Sequence, residues 1–183
     1  MLALQGGFSE HVQLLKSLGC AVREVRTVED TEGLDALVLP GGESTVLLKL
    51  MATTGLDKWV SKTKLPLMAT CAGLIVLAKL GRLDVEIERN AYGSQLDSFE
   101  APLRFAIENS LLGGQVKLKI EDSEFPGVFI RAPKIGKTGK MVEVLMKYDS
   151  PVLVRQGNIL GLTFHPELTK DSRIHELFLD MLD

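Results

Sequence analysis

The chain has 183 residues, 45% of them hydrophobic and 25% charged, with 24 acidic side chains against 21 basic ones for a net charge of −3. Such a chain is expected to fold as a single domain over 1–183, with a core large enough to need neither a disulfide nor a metal. The absence of a Lys/Arg cluster argues against a nucleic-acid binder, and no apolar run approaches the roughly 18 residues of a membrane span.

Leu2-Ala3-Leu4 reads as a strand ending at Gly6-Gly7, after which Ser9 is expected to cap a helix with Val12, Leu15 and Leu18 on one face until Gly19. Ala21 to Val25 and Ala36 to Leu39 read as the next strands, the second stopping at Pro40-Gly41-Gly42. Ser44 to Ala52 is helical, with Val46, Leu47 and Leu50 expected inward. Leu65 to Ala69 is an unbroken apolar strand of the kind buried on both faces, and Ala72 to Leu80 is the helix after it. This strand-then-helix alternation implies parallel pairing.

From Leu83 the pattern changes to alternation, at Val85 and Ile87 and again at Leu118 and Ile120, with Val128 to Ile130 and Val142 to Leu145 as further strands. Gly136-Lys137-Thr138 lacks the glycine that a phosphate-binding loop requires five residues earlier, where Arg131 stands, so Lys134 to Lys140 reads as a surface loop. Val152 to Val154, the Gln156-Gly157-Asn158 turn and Ile159 to Phe164 form a hairpin, and a last helix spans Ser172 to Leu182. The sum is an α/β layered domain with a mostly parallel sheet and an antiparallel or mixed extension. With no signal peptide evident, Cys20 and Cys71 are expected to be free thiols in a cytoplasmic protein.

Ligands of such sheets collect at the carboxyl ends of the strands, where both Gly41-Gly42 and Cys71 fall. A strand-to-helix elbow needs small residues two before and two after its nucleophile, and Ala69 and Gly73 meet that need. At a helix N-terminus the unpaired N–H groups favour a thiolate at Cys71, and the Ala72 N–H could receive an oxyanion. A buried structural cysteine is the alternative.

Of the three histidines, His11 and His175 fall within helices and read as surface or helix-packing residues. His165 ends a strand and precedes Pro166 and Glu167; in an extended chain residues two apart point the same way, so Glu167 could orient the His165 ring toward a thiol. Cys71, His165 and Glu167 would then form a triad for acyl transfer through a thioester. Gly41-Gly42-Glu43-Ser44-Thr45 suits an acyl site better than a phosphate, which Glu43 would repel; a plain glycine turn before a capped helix is the other reading.

These residues resemble the glutaminase subunit of pyridoxal 5′-phosphate synthase, a class I triad glutamine amidotransferase with a three-layer, flavodoxin-like fold. The resemblance spans nearly the whole chain. It is carried by Leu2-Ala3-Leu4-Gln5-Gly6 with Glu10-His11, Leu39 to Thr45, Thr70-Cys71-Ala72-Gly73-Leu74-Ile75, Glu88-Arg89-Asn90-Ala91-Tyr92-Gly93, Ser98-Phe99-Glu100, Phe129-Ile130-Arg131-Ala132-Pro133 and Thr163 to Thr169.

It implies that Cys71 is the nucleophile, His165 the general base and then acid, and Glu167 its orienting partner. Gly42, Glu43, Ser44, Arg89, Ile130 and Arg131 would contact L-glutamine, and Ala72 together with Gly42, or alternatively Gly41, would form the oxyanion hole. The family needs no cofactor or metal of its own. It passes ammonia to a (β/α)₈ barrel synthase subunit in a large hetero-oligomer, which makes pyridoxal 5′-phosphate from ribose 5-phosphate and glyceraldehyde 3-phosphate.

The chain departs from the family pattern in a short first strand, a short turn at Lys79-Leu80-Gly81-Arg82, and Ala69 where glycine is usual. Alternative readings are a class I glutaminase serving another synthase, a free-standing cysteine amidase, and a catalytically silent binding subunit.

Overall fold

The computed structural model describes residues 1–89, 98–105 and 124–182. The expected elements at Leu118 and Ile120, and Asn90 to Gly93 of the arginine-containing segment, lie outside the described residues.

A seven-stranded sheet forms the centre. In sequence order its strands are β1 (Leu37–Leu39), β2 (Leu67–Thr70), β4 (Ser98–Phe105), β5 (Phe125–Ile130), β7 (Glu143–Lys147), β8 (Pro151–Gln156) and β9 (Ile159–Leu162). In space they run β1-β2-β9-β8-β7-β4-β5. β1, β2 and β9 pair in parallel, and every later pairing is antiparallel. Two further strands, β3 (Val85–Glu88) and β6 (Lys134–Thr138), make a small antiparallel sheet. The segment expected as a surface loop at Lys134 to Lys140 is thus largely a strand, because Ile135 is fully buried and anchors it.

Alternation along the central strands sends side chains to two cores. Val38, Met68, Leu153 and Leu160 point to one, which is closed by α1 (Phe8–Ser17) and α5 (Arg173–Leu179) through Leu15, Ile174, Leu177 and Phe178. Leu37, Leu39, Leu67, Ala69 and Val154 point to the other, closed by α2 (Ser44–Thr54), α3 (Leu56–Lys62) and α4 (Ala72–Lys79). Helices on both faces of a sheet give the expected three-layer α/β architecture.

Several local expectations are corrected. Leu2 to Leu4 and Ala21 to Val25 do not form full strands. Leu2 bridges Val25 in parallel and its N–H donates to the Val38 carbonyl, so the segment extends the sheet by a single bridge. Ser9 does not cap α1; Gly7 occupies that position, and the Ser9 hydroxyl donates to Glu10 at 2.6 Å. Val46 is 43% exposed and Leu50 half-buried, while Leu47 and Met51 carry the inward face of α2. α3 and β4 add to the elements read from sequence.

The turn from β2 into α4 explains the small residues around Cys71. Ala69 stands beside Gly161 across the parallel pair, fully buried. A Cβ on Gly73 would overlap the Leu39 carbonyl of β1, so glycine there lets α4 lie against the sheet. Replacing Gly73 by alanine is therefore expected to cost about 1–3 kcal/mol, the usual penalty for overpacking against a rigid neighbour. A urea unfolding curve superimposing on that of the parent chain would contradict this packing.

Candidate active site

Cys71 sits between β2 and α4 with φ 47° and ψ −105°, a conformation L-residues rarely adopt, and caps the helix N-terminus. Strain at this point marks a nucleophile elbow. The Cys71 N–H donates to the Leu162 carbonyl at 2.9 Å, which ties the elbow to the end of β9. Ala72, the first helical residue, has an N–H with no intrahelical acceptor available to it.

His165 follows β9 closely, and its N–H donates to the Val128 carbonyl of β5 at 2.8 Å. Its ring Nδ1 lies 2.7 Å from Glu167 Oε1, and the ring stands beside the Cys71 side chain. Pro166 to Leu168 form a 3₁₀ turn rather than extended chain, closed by the Leu168 N–H on the His165 carbonyl at 3.3 Å. The expected partners therefore meet through a tight turn, not through strand alternation. The Glu167 side chain is 1% exposed and that of His165 11%. Burial pulls the His165 pKa down, but the hydrogen bonds and negative charge of Cys71 and Glu167 outweigh it and push the value up to about 10.

The three residues open on a cavity of about 330 Å³, within the range for small-molecule sites. Gly42, Glu43, Ser44, Ala72, Arg89, Ile130 and Arg131 also line it, so the structure brings together every residue singled out from the sequence. Gly41 lines it too, and a Cβ there would overlap the His165 ring. The Ser44 hydroxyl is buried with no hydrogen-bond partner among the described residues, a polar group free for a ligand.

Glu43 has a structural duty as well. It caps α2, its carboxylate accepting from the N–H groups of Thr45 at 3.0 Å and Val46 at 2.7 Å, and those bonds hold its pKa below the usual carboxylate range. Arg89 Nη2 stands 3.6 Å from the same carboxylate and 3.4 Å from Thr45 Oγ1. Arg131 has φ 42°, and the carbonyl of Ile130 before it lies 3.9 Å from Cys71 Sγ. Two guanidinium groups on one small cavity suit a carboxylate-bearing substrate.

Sequence reasoning left out Gln5, and left His11 and His175 as surface or helix-packing residues without seeing their link to Glu167. Gln5 Oε1 accepts from the Glu43 N–H at 2.9 Å and packs against Gly42, whose φ of 151° keeps the glycine loop in its bend. Of the two expected roles the structure shows helix packing: His11 and His175 are fully buried between α1 and α5, 2.9 Å apart through Nδ1 and Nε2, and His11 Nε2 lies 3.2 Å from Glu167 Oε2. Gln5 and His11 could have been found only as members of the Leu2 to His11 segment that carries the family resemblance.

These histidines set the pH dependence of folding. Burial lowers the pKa of both His11 and His175 to about 4, against an ordinary value of 6.5. Between those values the unfolded chain takes up protons that the folded chain refuses, so stability falls as pH drops from about 6.5 toward 4, by about 1.4 kcal/mol per pH unit for each group. His165 has the opposite sign: its contribution is full below pH 6.5 and is lost as pH rises through about 10. In urea titrations across pH, His175→Leu is expected to flatten the acid slope. An unchanged slope would contradict a neutral buried His175.

The model of the SNO glutamine amidotransferase family matches residues 1–183. A pyridoxal 5′-phosphate synthase subunit PdxT of Thermosipho africanus is 45% identical over 192 residues, covering 98% of this chain and 95% of the relative. The subunit of the same name from Francisella tularensis subsp. novicida is 47% identical over 188 residues, covering 99% and 97%. A crystal structure of a glutamine amidotransferase superimposes with a TM-score of 0.86 at 45% identity, covering 99% of this chain and 96% of that one. An elbow cysteine beside a histidine that is itself backed by a buried glutamate is thus found in a chain whose whole length matches one family: it belongs to the SNO glutamine amidotransferase family.

Proposed function

We propose that this chain, as one domain over 1–183, is the glutaminase subunit of a pyridoxal 5′-phosphate synthase. It hydrolyses L-glutamine and delivers the ammonia to a (β/α)₈ barrel synthase subunit in a hetero-oligomer, in the cytoplasm. The observation that carries the reading is the His165 ring set between the Cys71 thiol and the Glu167 carboxylate at the wall of a small cavity lined by arginines. The names of the two relatives support the choice of synthase.

The chemistry follows from the geometry. His165 takes the Cys71 proton, and Glu167 stabilises the resulting imidazolium. The Cys71 sulfur attacks the side-chain amide carbon of glutamine, and the carbonyl electron pair moves onto oxygen, where the Ala72 and Gly42 N–H groups receive it. As the tetrahedral species collapses, the C–N bond breaks and His165 gives its proton to the departing nitrogen, releasing ammonia. Water, deprotonated by His165, then attacks the thioester; the C–S bond breaks, glutamate leaves and Cys71 is restored.

Arg89 and Arg131 offer partners for the substrate α-carboxylate, and Ser44 and the Ile130 carbonyl offer a donor and an acceptor for its remaining polar groups. Ammonia set free in water would be protonated and lost as a nucleophile, which is the physical reason for a receiving subunit. Both cysteines are unpaired, as a reducing compartment requires.

The test is glutamate release from L-glutamine, with and without an added barrel synthase subunit. Turnover strongly stimulated by that subunit is expected. Cys71→Ala is expected to abolish it, a loss of at least about 10³-fold for removal of a covalent nucleophile, with folding and docking unchanged. Absence of hydrolysis in both conditions, or equal hydrolysis in both, would overturn the assignment. So would wild-type turnover by the alanine variant.

A further inference from the structure

Behind the triad lies a second, wholly buried polar chain that the chemistry above does not use. His11, in the first turns of α1, and His175, on α5, come from opposite ends of the sequence and meet at 2.9 Å through His11 Nδ1 and His175 Nε2. The other His11 nitrogen, Nε2, is hydrogen-bonded to Thr70 Oγ1 at 3.4 Å and lies 3.2 Å from Glu167 Oε2, a buried carboxylate oxygen with no hydrogen bond of its own among the described residues. Glu167 Oε1 is already occupied by His165, so His11 is the group that stands against the other carboxylate oxygen.

We infer that His11 is the positioning residue for Glu167, and that His175 holds His11 in the one tautomer that allows it. A carboxylate can only accept, so His11 Nε2 must carry a hydrogen; an unprotonated nitrogen there would set two lone pairs against each other in a buried site. A neutral imidazole with its hydrogen on Nε2 has a lone pair on Nδ1, and that lone pair needs a donor. His175 Nε2–H supplies it. His175 Nδ1 then ends the chain as a buried acceptor without a partner, as observed.

The third possibility, a doubly protonated His11, is opposed above all by burial and also by the positive charge of His165, with Glu167 favouring it; the net effect is a pKa lowered to about 4. His11 therefore remains a neutral donor at neutral pH.

The contact to Thr70 gives the arrangement its reach. Thr70 is the last residue of β2 and immediately precedes Cys71, so one imidazole touches both the strand that carries the nucleophile and the turn that carries the glutamate. A partner of this kind restricts the Glu167 carboxylate to the rotamer that serves His165 Nδ1, which is how groups behind a catalytic histidine govern its orientation.

Two substitutions of similar size and polarity separate this role from packing. In His11→Gln the terminal amide nitrogen occupies roughly the place of Nε2 and can still donate toward Glu167, but the group facing His175 is lost. In His11→Asn the side chain can still meet His175 but does not extend to Glu167. Rates are measured in two ways on the full chain. The first is glutamate release with the barrel subunit present, which rests on the function proposed above. The second is alkylation of Cys71 by iodoacetamide, followed on the Cys71 peptide by mass spectrometry, which needs neither glutamine nor partner.

The Gln variant is expected to stay within about threefold of the parent in both rates, whereas the Asn variant is expected to lose roughly ten- to a hundred-fold in kcat with KM changed less than threefold. Cys71 alkylation in the Asn variant is expected to slow in parallel. Equal losses in both variants, or retention of both rates in both, would overturn the inference. So would a fall confined to KM. If the parent chain shows no glutaminase activity, the alkylation comparison still decides the role of His11 within the triad, separately from the proposed function.

Discussion

The parallel pairing of β2 with β9 is the constraint on which the site depends. Thr70 stands opposite Leu162 in that register, and the bond from the Cys71 N–H to the Leu162 carbonyl extends the ladder by one step beyond the last paired residues. Two strands remote in sequence thereby deliver their carboxyl ends side by side, one into the elbow at Cys71 and the other toward His165. The sheet then switches to antiparallel at β8, and β5 accepts the His165 N–H, so the histidine is held from both sides of that switch. A slip of one residue would reverse every side chain of β2 or β9 and exchange the two cores, which is why the register is strongly specified.

The electrostatics divide the three histidines by what they touch. His165 is pushed up by a thiol and a carboxylate, whereas His11 and His175 are pushed down because burial is not offset by comparable partners. One buried carboxylate lies between two imidazoles, hydrogen-bonded to His165 through Oε1 and 3.2 Å from His11 through Oε2. A charged ring on one side and a neutral ring on the other avoid placing two like charges against each other. The close approach of these groups also accounts for the glycines at Gly41 and Gly73, where a methyl group would overlap the His165 ring or the Leu39 carbonyl.

Much of this was legible in the sequence because it is local. Cys71 between Ala69 and Gly73, Gly41-Gly42 after an apolar strand, and His165 two residues before Glu167 are each short patterns with a physical reading. Elements without such a pattern were harder to read. β4 places Phe99, Ala101, Leu103 and Phe105 on one side, but Pro102 in its middle argues against a strand, and only the structure shows Pro102 opposite Pro126 with both outward. In α2 the run Val46-Leu47-Leu48-Lys49-Leu50-Met51 is apolar on nearly every side, so its periodicity does not reveal that Val46 faces out. The meeting of His11 and His175 joins the first helix to the last, a contact with no signature in local sequence.

The central claim of the proposed function is that Cys71 is a nucleophile facing a cavity that receives glutamine. The most direct measurement is covalent labelling with a chloroketone analogue of L-glutamine, read as intact mass and then by peptide mapping. A single adduct on Cys71, slowed by excess L-glutamine, is the result this account predicts. Labelling elsewhere with Cys71 free, or labelling that glutamine does not slow, would contradict it.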